Sequence, residues 1–175
     1  IGSGNGEFSE AYKNIYPKSN FYNSDRLLTG IDFEKDKLPY EDNMFEIVFM
    51  ISLVEHIIFP NLLMTEIKRI LKRGGILILI TPNFKYCYKT FFNDPTHYKP
   101  YTDKSIRQLF LYSGFKRVSV DPFMVNKSHF YWSFKYKFQL ASYLPFTNHE
   151  FQNIKIIPKF LRGKSTSIIS SGLKI

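Results

Sequence analysis

Cysteine is nearly absent from this sequence: Cys87 is the single one in 175 residues. That excludes an internal disulfide and a thiolate zinc centre, and it makes a reducing cytoplasm the expected compartment. Long apolar runs are missing too. None approaches the roughly 18–20 residues that a membrane-spanning helix requires, and no signal-peptide pattern is visible. Nor is basic charge gathered into a compact Lys/Arg block of the nuclear or RNA-binding kind. Neither repeats nor a low-complexity linker interrupt the chain, so one domain over residues 1–175 is expected.

What is present is an ordinary globular balance of 44% hydrophobic and 22% charged residues. Aromatics are abundant, with 18 Phe and 12 Tyr. Lys, Asn, Ile, Phe and Tyr are all frequent together, as a codon bias would produce, so the aromatic excess carries little functional weight. A formal net charge of +9 favours anionic partners: nucleic acid, a membrane surface or a phosphorylated substrate. Lysines solvating helix faces account for it equally well.

Strand and helix patterns alternate along most of the chain, which predicts an α/β fold with a largely parallel sheet. Gly6 opens a helix with Phe8, Ala11, Tyr12 and Ile15 on one face, and Pro17 ends it. Asn20 to Ser24 reads as a short strand followed by Asp25, and Phe45 to Met50 as a buried strand. Pro60 suits the first turn of a helix faced by Leu63, Ile67, Ile70 and Leu71, with Lys68, Arg69, Lys72 and Arg73 at its negative end. Gly74 and Gly75 are expected to close that helix, the first as a left-handed cap. Ile76 to Ile80 then reads as a strand covered on both faces. Thr102 is the predicted N-cap of a helix faced by Ile106, Leu109 and Phe110, with Gly114 as its stop. Phe115 to Val120 and Lys164 to Ser171 complete the strands. Between them, Phe130 to Leu140 fits a strand and a helix equally.

The N-terminal Ile1-Gly2-Ser3-Gly4-Asn5-Gly6 is a glycine-rich turn leading into a helix, a device that lets the backbone approach a ligand closely. A dinucleotide fingerprint, G-x-G-x-x-G, would need glycine at position 7, where Glu7 stands. The spacing is G-x-G-x-G instead. Read in order, IGSGNGEF, DFEKDKLPYEDNMFEIVFMISLVEHI and EIKRILKRGGILILITPN resemble the class I S-adenosylmethionine-dependent methyltransferase family. The likeness lies in an acidic residue, an "LPF-x-D-x-x-FD" strand, an "LEH" sequence and an "E-x-x-R-V-L-K-P-G-G" helix and strand. It runs from residue 1 to about residue 120. Arg73 stands where the family usually has proline.

That resemblance implies a Rossmann-like α/β fold: a mostly parallel twisted sheet with helices on both faces, lacking its first strand in this chain. It implies S-adenosyl-L-methionine as cofactor. Gly2, Ser3, Gly4 and Gly6 would shape the loop under the methionine part. Asp25 would accept hydrogen bonds from the ribose hydroxyls, a task suited to a group that offers only acceptors. Asp32, ending the third strand of the resemblance, and the backbone of Phe33 would face the adenine, and Ile51 and Ser52 the methionine end. Glu55 and His56 occupy the "EH" position, as an active-site floor or a proton acceptor, or else in a helix-capping and packing role.

Asn93 to Thr102 resembles the "DPTH-x-R-P-[FY]-T" loop of a subset of these enzymes associated with glycan synthesis. Within it His97 is the expected general base, because imidazole titrates near neutral pH. Alternatively Asp94, Thr96 and His97 bond one another to hold a lid. His129 to Tyr143 mixes aromatics with Lys135 and Lys137, as core, as a substrate lid within an insertion over residues 122–163, as a membrane-surface contact or as a single-strand nucleic-acid platform. The expected activity is methyl transfer to a hydroxyl of a small or lipid- or glycan-linked acceptor, without a metal. An RNA methyltransferase, which lacks its N/D-P-P-[FY] motif here, and a non-catalytic cofactor-binding domain stand behind it. Because the family places an apolar strand before the glycine loop, the sequence is further expected to be a fragment of a longer reading frame, poorly stable as written.

Overall fold

The computed structural model describes residues 1–123, 146–147, 162–164 and 167–175. The chain runs through α1 (Glu7–Ile15), α2 (Arg26–Thr29), β1 (Phe45–Ile51), a 3₁₀ turn (Val54–His56), α3 (Asn61–Ile70) and β2 (Leu71–Pro82). It continues with α4 (Phe84–Cys87), a second 3₁₀ turn (Phe91–Asn93), α5 (Asp103–Tyr112), β3 (Lys116–Phe123), β4 (Phe146–Thr147), β5 (Arg162–Lys164) and β6 (Ser167–Leu173). Among the described residues no helix is long and apolar enough to cross a membrane.

Four strands form one sheet in the order β1-β2-β6-β3. β1 and β2 are parallel, while β6 is antiparallel to both β2 and β3. Three strands therefore share a direction and β6, inserted between two of them, opposes it. The expected mostly parallel sheet holds in strand direction rather than in ladder type. β4 and β5 make a separate parallel pair.

Alternation along the strands sets the layers. Val48 and Met50 of β1, Leu77 and Leu79 of β2 and Ile168 of β6 are buried in one core with Leu63, Ile67 and Ile70 of α3 and Ile106 and Phe110 of α5. Phe49 points to the opposite face, as the two-residue period requires. There it meets the rings of Phe8 and Tyr12 from α1. Helices thus lie on both faces, as expected.

α5 begins where the sequence placed it: Thr102 accepts from the Ser105 amide and Ser105 from the Thr102 amide, a reciprocal capping box. Gly114 follows its end at φ +79°.

Three local expectations are corrected. α3 stops at Ile70, and Leu71 is already extended as the first residue of β2, so Lys72 and Arg73 lie beyond the helix. Gly74 and Gly75 do not cap it; they form a bulge that shifts the β1–β2 register between Phe45 and Ile47. Gly74 is left-handed at φ +79°, and a Cβ on Gly75 would come within 2.8 Å of the Lys72 carbonyl. The third correction concerns Asn20–Ser24 and the segment ending at Asp32, which belong to no ladder among the described residues. Extended backbone becomes a strand only beside a partner, and here the Gly2 and Ser3 amides both converge on the single Ser24 carbonyl. Phe130 to Leu140 and His129 to Tyr143 lie outside the described residues.

Candidate active site at the strand ends

The site gathers at the carboxyl ends of β1 and β2, where open α/β sheets place their ligands. The glycine loop comes first. Gly2, Gly4 and Gly6 all have positive φ, at +66°, +49° and +82°. The Ile1 nitrogen donates to the Phe49 carbonyl of β1 at 2.8 Å, and Leu53 lies against Gly2, where a Cβ would meet Leu53 Cβ at 3.0 Å. A side chain at Gly2 is therefore both strained and obstructed. Gly4 differs: a Cβ there would face open space. Beside it Ser3 Oγ is buried with no partner.

Asp25 joins this loop to the next element. Its Oδ2 accepts from the Gly4 amide at 3.0 Å, and its Oδ1 accepts from Leu27 at 3.0 Å as the N-cap of α2. Asp32 begins a turn instead of ending a strand: Oδ1 accepts from the Glu34 amide and Oδ2 pairs with Lys35. Those contacts, the amide first, hold its carboxyl below the usual carboxylate range. The Phe33 side chain is buried in the core.

β1 ends at Ile51, and Ser52 leaves it in a left-handed conformation (φ +47°) while its amide still donates to the Ile80 carbonyl at 2.9 Å. That sharp turn delivers the Val54–His56 turn beneath the Asp94–Thr102 loop. The Tyr98 and Lys99 amides donate to the Glu55 carbonyl at 2.9 and 3.0 Å. Thr96 donates from both its amide and its hydroxyl to Asp94 Oδ1. His56 Nδ1 lies 3.0 Å from the Thr96 carbonyl, and His97 Nδ1 lies 2.7 Å from the Phe91 carbonyl. The two imidazoles have centroids 4.7 Å apart, and His97 also packs on Phe91. The sequence's two catalytic candidates, 41 positions apart, are thus brought together. Of the bonds expected to hold a lid, the Asp94–Thr96 pair forms. His97 instead turns to Phe91, its Nε2 being 3.9 Å from Asp94, beyond hydrogen-bonding range.

Below them lies Glu55, which the "EH" pattern marked in the sequence without announcing its burial. Glu55 is 1% exposed; its Oε2 accepts from Thr81 Oγ1 at 3.0 Å and its Oε1 has no partner. Burial pushes the Glu55 carboxyl above its ordinary range, against the opposing effect of its hydrogen bonds and the two histidines. The Tyr101 hydroxyl is buried without a partner and raised too, by burial and then by Glu55. Asn83 Oδ1 is another unpartnered buried atom. Burial, opposed by backbone hydrogen bonding, takes the Cys87 thiol up to about 11, so it is no ready nucleophile. Thr81 and Asn83 sat in the quoted ITPN block and Tyr101 in the loop motif, but nothing in their spacing announced burial. Orphaned polar atoms are expected to weaken the free protein. Tyr101→Phe removes one at constant shape and should raise stability by about 1 kcal/mol. A thermal melt rising by roughly 2–4 °C is the expected readout, and a fall would mean that the hydroxyl has a partner.

An open α/β sheet with a glycine-lined loop, a carboxylate hydrogen-bonded to that loop and polar groups at the strand ends defines the Rossmann-like methyltransferase fold. Residues 1–79 match a family model described as a methyltransferase domain. A SAM-dependent methyltransferase of Archaeoglobus fulgidus shares the fold at a TM-score of 0.62 and 20% identity, over 99% of this chain and 84% of that one. A Haloferax volcanii methyltransferase in complex with the activator Trm112 aligns at 0.54 and 16%, over 81% and 58% of the two chains. A Thermotoga maritima SAM-dependent methyltransferase aligns at 0.53 and 16%, over 79% and 59%. This chain thus spans under two thirds of the latter two. No curated protein matches it by sequence. The match over residues 1–79 and the shared fold make this chain similar to S-adenosylmethionine-dependent methyltransferases, enzymes that use S-adenosylmethionine as cofactor.

Proposed function

We propose that this protein transfers the methyl group of S-adenosylmethionine to a hydroxyl oxygen of a small or glycan- or lipid-linked acceptor. The observation that carries the reading is the abutment of two features at one sheet edge. The positive-φ glycine loop rests on Leu53, and the next residues along the chain form the Val54–His56 turn of the polar cluster.

The glycine loop fits the cofactor. Gly4 opens onto free space, Ser3 Oγ is buried without a partner, and the Asp25 carboxylate lies beside them. Gly2, Ser3, Gly4 and Gly6 would cradle its amino-acid part, Asp25 would take the ribose hydroxyls, Asp32 and Phe33 would meet the adenine, and Ile51 and Ser52 would line the methionine end. When bound, the cofactor supplies a sulfonium methyl group already activated for attack. The chain's own task is then largely orientation, which can supply ~7–11 kcal/mol in favourable cases. A hydroxyl must also lose its proton, a step worth roughly 10²–10⁴-fold. His97 and His56 perform it in this reading. Their Nδ1 atoms are committed to backbone oxygens, which leaves Nε2 on each ring as the acceptor. The loop from Asp94 to Thr102, pinned on the Glu55 carbonyl, holds His97 in place. The domain extends over residues 1–175, with residues 122–163 as a substrate-side insertion; a cytoplasmic location and an acceptor carried at a membrane surface belong to the same proposal.

Calorimetry with S-adenosylhomocysteine tests it. The protein is expected to bind, and Asp25→Ala to bind about tenfold more weakly or worse, a loss of ~1.4 kcal/mol or more. Asp25→Asn, which keeps an acceptor for the helix cap, separates a lost ligand contact from a loosened α2. Absence of binding by the unaltered chain would remove the reading.

A further inference from the structure

Glu55, His56 and His97 each offer one ligand atom, and the three atoms lie within 4.8 Å of one another. We propose that these three side chains hold a divalent first-row transition-metal ion at the acceptor end of the site. The inference deepens the reading above and rests on it for its chemical consequence, though not for the binding itself.

Three observations carry it. The first is the hydrogen-bonding state of the imidazoles. A carbonyl can only accept, so the Phe91 carbonyl at 2.7 Å fixes the proton of His97 on Nδ1. For His56 the same follows from Thr96, whose carbonyl sits 3.0 Å from Nδ1 and whose hydroxyl proton is already given to Asp94. Each ring is therefore oriented by a backbone carbonyl through one nitrogen and presents a lone pair on the other. That is the arrangement by which proteins fix metal-ligating histidines.

The second is the carboxylate. Glu55 is 1% exposed and its Oε1 has no protein partner, while Thr81 fixes the other oxygen. That open acceptor belongs to a side chain with a ligand atom within 4.8 Å of one on each imidazole, and a cation among them would satisfy the three groups at once. The third is the donor set. Two imidazoles and one carboxylate suit zinc, cobalt, manganese or ferrous iron, and the absence of a thiolate disfavours soft ions. Bonds of about 2.0–2.2 Å would bring the ligand atoms to roughly 3.3–3.5 Å in a tetrahedral site, so binding draws the three side chains inward. Three protein ligands leave a position for an exogenous oxygen. A cation there lowers the pKa of a bound acceptor hydroxyl so that its proton can pass to solvent water, and His56 and His97 then serve as ligands in place of proton acceptors.

Cobalt titration of the chelator-treated full chain tests the site by visible absorption, which reports the ligand field without any turnover. One Co²⁺ per chain is expected, with a rise in melting temperature. His97→Ala and His56→Ala should each weaken it by roughly 10- to 100-fold or more. Circular dichroism and S-adenosylhomocysteine binding of each variant report whether the fold survives. Failure of the intact protein to bind Co²⁺ overturns the metal site, as does unchanged affinity in a folded His97→Ala variant. If S-adenosylhomocysteine binds while Co²⁺ does not, only the metal inference falls. If Co²⁺ binds and S-adenosylhomocysteine does not, the methyltransferase reading falls.

Discussion

Arg69→Ala is expected to destabilise the protein by about 3 kcal/mol, because one guanidinium ties the segment before β1 to α3. Arg69 donates from Nε and Nη2 to Glu66, from Nη2 to the Leu38 carbonyl, and from Nη1 to the Tyr40 carbonyl and Asp42. Glu66 also accepts from the Leu38 amide, so the two side chains close a loop around residues 38–42. Truncation leaves a largely buried carboxylate without its cation and two carbonyls without donors. The figure sits at the low end for a broken buried pair, since the Arg69 side chain keeps 17% exposure. Those hydrogen bonds, with Glu66 first, hold the guanidinium above its ordinary pKa, so it stays charged at every working pH. A melt lower by roughly 6–12 °C is the expected result. Arg69→Lys should recover little, because a single ammonium cannot reproduce a forked set of donors. Full recovery with lysine would show that charge alone holds the segment. The consequence reaches the site, since residues 38–42 lie between Asp32 and β1.

Phe110→Ala should have an effect of similar or larger size, about 3–5 kcal/mol. Phe110 is fully buried on α5, and its ring meets Phe115 with centroids 5.5 Å apart. It fills the space left by the missing side chain of Gly172 on β6, where a Cβ would come within 2.5 Å of Phe110 Cδ1. That contact helps to seat α5 on the antiparallel strand. The reverse change, Gly172→Ala, overpacks the same spot and is expected to destabilise by about 1–3 kcal/mol. Because the two share one volume, the double variant should be less destabilised than the sum, with a coupling of roughly 0.5–3 kcal/mol. Chemical denaturation of the four proteins measures that cycle. Strict additivity would show that ring and glycine do not compete for the same space.

Much of the architecture was legible because it rests on local rules. Thr102 caps α5 through its own side chain, Gly6 turns into α1, and Phe45 to Met50 and Ile76 to Ile80 are strands whose apolar runs need no partner to be recognised. Where the reading failed, a distant neighbour decided. Lys72, Arg73 and the two glycines looked like the end of a helix, yet the chain leaves α3 at Ile70 to pair Leu71 with Phe45. Asn20 to Ser24 had the composition of a strand but no strand to pair with among the described residues. The candidate site divides the same way. Gly2, Gly4 and Gly6 were marked by spacing and Asp25 by the resemblance, and the structure joins Asp25 to the loop through its bond with the Gly4 amide. The burial of Glu55 against Thr81 could not be read from either residue.

The sequence by itself determined most of the alternation of helix and strand, the Thr102 cap and the glycine loop, since each depends on residues within a turn or two of one another, and the ordered motifs carried the resemblance to a methyltransferase. Only the tertiary structure decided that β6 runs antiparallel between β2 and β3, and that His56 meets a loop 40 residues away at Thr96. Both outcomes depend on which backbone and side-chain groups find partners once the chain is compact. Hydrogen bonds of that kind are set by proximity in space, which local propensity does not encode.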